Sequence, residues 1–229
     1  MLNELGPNIW SLDGPEVIFA GAAMHTRMTI VRLSSGGLWL HSPIQRSEQV
    51  QAEVSKLGGP VVALVAPNKY HHLYIGAWQT AFPEAAVYAE PQLRRKVAAL
   101  ATAEELTNNP PDSYAADIDQ VLFEGNPLYQ EAVFFHKQSR TLVLTDLMLN
   151  LKTDRVKFLP RLFLKFEGAV FPNGGVLRLH RWFTLDRAKA RQALAKIQAW
   201  EPEQITFCHG VPFLEDAGEV IRNQFRWLL

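Results

Sequence analysis

Four side chains in this 229-residue chain could together hold a metal ion or move a proton: His71, His72, Asp146 and His209. Each follows an apolar run. Val61-Val62-Ala63-Leu64-Val65-Ala66 is followed by Pro67-Asn68-Lys69-Tyr70 and then the adjacent histidines. Thr141-Leu142-Val143-Leu144-Thr145 runs into Asp146. Ile205-Thr206-Phe207-Cys208 runs into His209-Gly210. Imidazole and carboxylate donors in one place suit zinc, iron or manganese. Three protein ligands with an open fourth position can activate a water for hydrolysis. A glycine straight after a histidine lets the backbone approach a neighbour closely.

The elements that must position these groups are legible from periodicity and breakers. Residues 61–66 are rich in β-branched side chains and read as a strand buried on both faces. Functional groups collect beyond the C-terminal ends of such strands. Ahead of it, Ile9–Leu12 and Glu16–Phe19 read as short strands around an Asp13-Gly14-Pro15 turn. Residues 28–33 and 38–41 form a hairpin about Ser34-Ser35-Gly36-Gly37. Ser47 is placed to cap a helix running to Leu57. Helices over 75–82 and 91–101 flank a strand at 86–89, with Pro91 at a first helical position. Residues 119–123 read as a strand and Gly125-Asn126-Pro127 as a turn. Residues 131–136 and 141–145 pair as a second hairpin. Residues 150–184 are irregular around a helix at 158–169. An amphipathic helix spans 186–200 with Ala190, Leu194, Ile197 and Trp200 on one stripe. A strand at 205–208 and a helix at 215–228 complete the chain.

Composition narrows the function. Lysine plus arginine equals aspartate plus glutamate at 23 each, so nothing in the mean charge calls for nucleic acid or a bilayer surface. With 48% apolar residues the chain can build a substantial core. The single cysteine, Cys208, excludes an internal disulfide and reads as an inert buried thiol. No apolar run is long enough to cross a membrane, and the first ten residues lack the pattern of a signal peptide. The expectation is one domain over residues 1–229, cytoplasmic, without nucleic-acid or membrane partners.

The order of these features resembles the metallo-β-lactamase superfamily. There a hairpin leads into a first helix, a buried strand ends in a His-x-His-x-Asp-His loop, a later hairpin strand ends in a bridging aspartate, and a last strand ends in histidine-glycine. Here Pro67-Asn68-Lys69-Tyr70-His71-His72, the run from Phe134 to Asp146, and Leu40-His41-Ser42-Pro43 resemble one branch of it, domain-of-unknown-function family 4336. The resemblance implies an α/β (α+β) fold, a four-layer αβ/βα sandwich of two mixed sheets. It implies a site between the sheets, with His71, His72, Asp146 and His209 as metal ligands. Asp146 and His72 would be the catalytic pair, and Asn68, Tyr70 and His41 would contact a small-molecule substrate.

The sequence also departs from the superfamily pattern. The loop lacks its earlier histidines, Asn126 stands where a mid-chain histidine belongs, and His41-Ser42-Pro43 replaces an acidic residue. That set implies one zinc, iron or manganese ion rather than two, or no metal. Two functions follow: a hydrolase acting on an ester, thioester, amide or phosphoester, or a pseudoenzyme that binds a ligand or protein without turnover. Asn68 reads equally as a turn-forming residue, and Tyr70 as a rim aromatic or a donor. His136 reads as structural. His25 and His180 have no partner in the pattern. Arg161, Lys165, Arg178 and Arg181 read as a solvated face or as an anion site.

Overall fold

A computed structural model describes residues 1–19, 22–154 and 156–229. The first sheet has seven strands in sequence order: β1 (Leu2–Gly6), β2 (Ile9–Phe19), β3 (Ala22–Arg32), β4 (Leu38–His41), β5 (Val61–Ala66), β6 (Ala86–Ala89) and β7 (Glu104–Glu105). Its first four strands are antiparallel, and β4 to β7 are parallel. The hairpin β8 (Ile118–Asn126) and β9 (Tyr129–His136) leads to β10 (Thr141–Val143), and a small pair follows, β11 (Met148–Leu149) with β12 (Gly175–Val176). The second sheet has the order β13-β10-β9-β8, with β13 (Gln204–Thr206) parallel to β10.

Alternation along the strands accounts for the layers. On β4 and β5, Leu38, Leu40, Leu64 and Ala66 face outward under α1 (Glu48–Ser55), α2 (Ile75–Ala81) and α3 (Pro91–Lys96), with Val54, Trp78 and Leu93 from those helices. The intervening Trp39, Ala63 and Val65 face inward and meet Ala132, Phe134 and Val143 of the second sheet. On the far side, Val133, Leu142 and Ile205 are covered by Leu194 and Ile197 of α6 (Arg187–Ala199) and Ile221 of α7 (Ala217–Gln224). Period-two patterning on both sheets therefore produces three apolar seams and four layers. This is the expected sandwich. Between β11 and α6, on either side of β12 in the chain, α4 (Phe158–Glu167) and α5 (Arg178–Phe183) pack beside a smaller cluster around Leu149, Leu151 and Leu164.

Several boundaries differ from the sequence reading. Asp13-Gly14-Pro15 does not turn the chain: β2 runs through it, with the register shift between Asp13 and Glu16 absorbed as a bulge against β3. The hairpin turn expected at 125–127 moves to Pro127-Leu128, because Asn126 still pairs with Tyr129. The helix from Pro91 stops at Lys96. The helix after Asp186 is confirmed, and the Asp186 carboxylate accepts from Lys189 N–H at its start. β1, β7, β11, β12 and α5 carry no clear periodicity and escape the sequence reading.

Candidate metal centre

β4 and β5 are parallel, and so are β10 and β13. Each pair therefore delivers its C-terminal loops to the same edge of the sandwich. His71 lies in the loop after β5, Asp146 after β10 and His209 after β13. One ligand atom from each lies within 4.8 Å of the others. His71 Nε2 is 3.1 Å from Asp146 Oδ2, and His209 Nε2 is 3.4 Å from Asp146 Oδ1. The two Nε2 atoms are 3.3 Å apart.

The outer nitrogens explain which edges face inward. His209 Nδ1 lies 2.8 Å from the carbonyl oxygen of His25. A carbonyl only accepts, so Nδ1 carries the proton and donates it. In the neutral ring the Nε2 lone pair then points at Asp146. His71 Nδ1 lies 2.5 Å from Ser42 Oγ, which fixes the second ring. Ser42 holds a positive φ of 52°, so the turn ending β4 is bent to bring the hydroxyl there. Burial is the largest single influence on His71 and pulls its pKa down, but Asp146 and Cys208 together outweigh it and raise the ring well above its ordinary value. Burial alone would raise the Asp146 carboxyl. His71, then His209 and the Asn68 amide, hold it well below the usual carboxylate range. Burial lowers His209. The cluster thus stabilises positive charge between two imidazoles and a carboxylate, and this donor set suits zinc, iron or manganese.

A further carboxylate, Glu131, supports the loop that bears Asp146. It is fully buried on β9 and accepts the backbone N–H groups of Thr145, Asp146 and Leu147 at 2.7, 2.8 and 3.0 Å. The Tyr129 hydroxyl also donates to it. Burial and the nearby Asp146 charge raise the Glu131 pKa, while its donors pull it down. Asn68 ties this network to the β5 loop. Its Oδ1 accepts from Tyr70 and His71 N–H at 2.9 and 3.1 Å, the turn role open to it from sequence. Its Nδ2 donates to Tyr129 Oη at 2.9 Å and Asp146 Oδ2 at 3.1 Å.

His71, Asp146 and His209 open onto a cavity of about 540 Å³. Apolar side chains make up most of its wall, among them Met24, Ile44, Leu149, Leu177 and Phe183. Asn126 lines it, and Tyr70 stands half-exposed at its mouth, stacked on Tyr129 with ring centroids 6.4 Å apart.

Three expectations fail on geometry. Asn68, expected to contact substrate, is completely buried and does not line the cavity; its amide is engaged by the loop and by Asp146. His72 neither joins the three-residue group nor lines the cavity, because consecutive residues in the turn point apart. His41 does not reach the cavity either. It lies completely buried, stacked on Trp39 and packed edgewise against Phe134. Gly210 makes its close approach to protein rather than ligand: at φ 97° a Cβ there would sit 2.3 Å from the Asn150 carbonyl oxygen. None of Arg161, Lys165, Arg178 and Arg181 lines the cavity.

Four contributors escaped the sequence reading. Glu131 and Tyr129 left one signal, a carboxylate two residues after a tyrosine and directly ahead of the apolar run Ala132-Val133-Phe134-Phe135. Ser42 left none. His180 of α5 lines the cavity with its ring 4.3 Å from that of Tyr129, and no spacing links it to the other histidines.

No curated protein matches the chain in sequence. Among solved structures, a metallo-β-lactamase from Pontibacter korlensis superposes with a TM-score of 0.65 at 11% identity, covering 100% of this chain and 98% of that one. One from Hirschia baltica gives 0.63 at 15% identity, covering 100% and 97%. One from Erythrobacter litoralis gives 0.64 at 11%, covering 99% and 95%. At such identities the likeness establishes the fold. Residues 7–167 match the family described as a domain of unknown function, DUF4336, and the chain belongs to that family as a divergent member of the metallo-β-lactamase fold.

Proposed function

We propose that the protein is a metal-dependent hydrolase of reduced ligand set, acting on a small molecule with a substantial apolar part. The convergence of His71 Nε2, His209 Nε2 and an Asp146 oxygen at the head of an apolar cavity carries this reading. These three residues would hold one zinc, iron or manganese ion. Such an ion supplies Lewis acidity and an activated water at neutral pH. The chain's own part is to orient. Ser42 and the His25 carbonyl fix the two rings, Glu131 fixes the Asp146 loop, and the cavity wall excludes water around the reacting bond. Lys69, the single lysine or arginine among the lining residues, is engaged with the Leu128 carbonyl at 2.7 Å. A neutral ester, thioester or amide fits such a wall better than a phosphoester.

Elemental analysis of purified protein tests this. Near-stoichiometric metal, lost in Asp146→Ala and His209→Ala, is expected. Protein that is empty and takes up no added ion sinks the reading. A second reading, a pseudoenzyme binding a ligand without turnover, draws support from Asn68. Its amide already engages the Asp146 oxygen that faces His71. Ligand binding that persists in Asp146→Ala, with no metal-dependent turnover in the parent, would favour it.

A further inference from the structure

Helices α4 and α5 expose more apolar surface than a solvated face accounts for. On α4, Phe158, Leu159, Leu162, Phe163 and Phe166 are 77, 74, 54, 40 and 47% exposed. At about 100° per residue these five positions share an arc of about 140° on one side of the helix. Leu164 and Glu167, on the other side, are the buried ones. On α5, Leu179, Trp182 and Phe183 are exposed as well, and Leu185 follows. The two helices form one patch: the Phe166 and Trp182 rings lie 5.9 Å apart, and the Arg178 guanidinium sits 4.9 Å over Phe166. Isolated exposed hydrophobics need no explanation, but a contiguous set of this size marks an interaction surface.

Charge decides what it meets. Residues 156–185 contain Lys157, Arg161, Lys165, Arg178 and Arg181, and a single acidic residue, Glu167, in a chain whose overall balance is zero. Glu167 is buried and accepts from the Leu179 N–H at 3.0 Å, so it does not reach the surface. Lys157, Arg161, Lys165 and Arg178 are exposed beside the apolar arc. A second copy placed symmetrically on this patch would set cations against cations. An anionic bilayer surface meets both halves, with phenylalanine, leucine and tryptophan entering the headgroup boundary and lysine and arginine on the phosphates.

We propose that α4 and α5 are a docking surface for anionic lipid membranes, with the protein lying on the bilayer rather than crossing it. Among the described residues no helix is long and apolar enough to span one. Leu179 and Phe183 belong to this patch and also line the cavity. The docked face therefore continues into the pocket wall, and an apolar ligand could pass from one to the other without crossing water. The balanced mean charge that argued against a bilayer role averages over this local segregation. The docking does not depend on the hydrolase reading.

Co-sedimentation of the full chain with vesicles tests it, comparing phosphatidylcholine alone with a mixture containing about one-third phosphatidylglycerol. Binding to the anionic vesicles alone is expected, weakening as salt rises. Arg161→Glu with Lys165→Glu should lower the partition about twentyfold or more, since each cation near such a surface contributes about fivefold. Phe158→Ser with Leu159→Ser should abolish it while leaving the thermal midpoint unchanged, since these two side chains are about three-quarters exposed. Equal binding to neutral and anionic vesicles would overturn the proposal. So would a failure to bind either, whether the protein is then a monomer or a dimer that the same serine substitutions dissolve.

Discussion

Asn68 bridges the two sheets to Asp146: its Nδ2 donates to Asp146 Oδ2 at 3.1 Å, while its Oδ1 caps the turn that carries His71. One completely buried amide thus sets the relative position of two of the three candidate ligands. Asn68→Ala removes acceptors from two backbone N–H groups and a donor from the Tyr129 hydroxyl and Asp146. Its expected cost is about 2–4 kcal/mol of folding stability, read from urea midpoints at constant m-value. A loss under about 0.5 kcal/mol would mean that water replaces these bonds and the loop is held elsewhere.

Glu131 makes a different demand. Three consecutive backbone N–H groups converge on its two oxygens. Glutamine keeps the shape but turns one oxygen into a donor, which then faces N–H groups that need an acceptor. Glu131→Gln should destabilise the protein by about 2–3 kcal/mol. It should also release the Asp146 loop, seen as faster amide exchange at residues 145–147 than in the parent. Unchanged exchange there would show that the carboxylate does not hold the loop.

Ser42 acts on His71 alone, through the 2.5 Å contact to Nδ1. If His71, Asp146 and His209 bind an ion, Ser42→Ala should weaken it about 10- to 100-fold, the usual effect of losing a group that orients a ligand ring. A chelator competition titration measures this. Secondary structure should be unchanged, and an affinity equal to the parent's would remove Ser42 from the site.

What the sequence could and could not reveal follows one physical line. Runs such as Val61–Ala66 and Thr141–Val143 declare themselves because burial on both faces demands unbroken apolar residues, and their ends mark where loops converge. His71, Asp146 and His209 were singled out from the sequence for that reason, and their ligand atoms lie within 4.8 Å of one another. His72 was not separable from His71, since which of two neighbours turns inward depends on the loop path that Asn68 dictates. His41 sits at a strand end like the others, yet its place on β4 directs it against Trp39 and Phe134 rather than into the cavity. Glu131 and Ser42 act on backbone or on a second side chain across long sequence separations, and no local pattern encodes that. The patch on α4 was visible as mixed arginine, leucine and phenylalanine, but only the packing of Leu164 and Glu167 shows which side is left uncovered.

Acid should weaken the fold through buried imidazoles. His41 has neither ring nitrogen hydrogen-bonded among the described residues. Burial, then the nearby His71, lowers its pKa to about 3 against the pull of Asp146. His136, whose Nδ1 lies 2.7 Å from Ser139 Oγ, is lowered by burial to about 4. Both are neutral in the fold and take up a proton in the unfolded chain near pH 6.5. A folded pKa below the unfolded one means that stability is full above about pH 6.5 and falls as pH drops. The fall continues to about pH 4 for His136 and about pH 3 for His41. Each contributes a slope of about 1.4 kcal/mol per pH unit within its window. His41→Phe keeps an aromatic ring against Trp39 and Phe134 and removes one of the two groups. Urea unfolding at pH 7 and pH 5 should show the variant within about 1.5 kcal/mol of the parent at the higher pH. It should lose distinctly less than the parent on going to the lower one. Equal losses in the two proteins would mean that His41 is already protonated in its buried position, and that the aromatic cluster of Trp39 and Phe134 around it tolerates a charge.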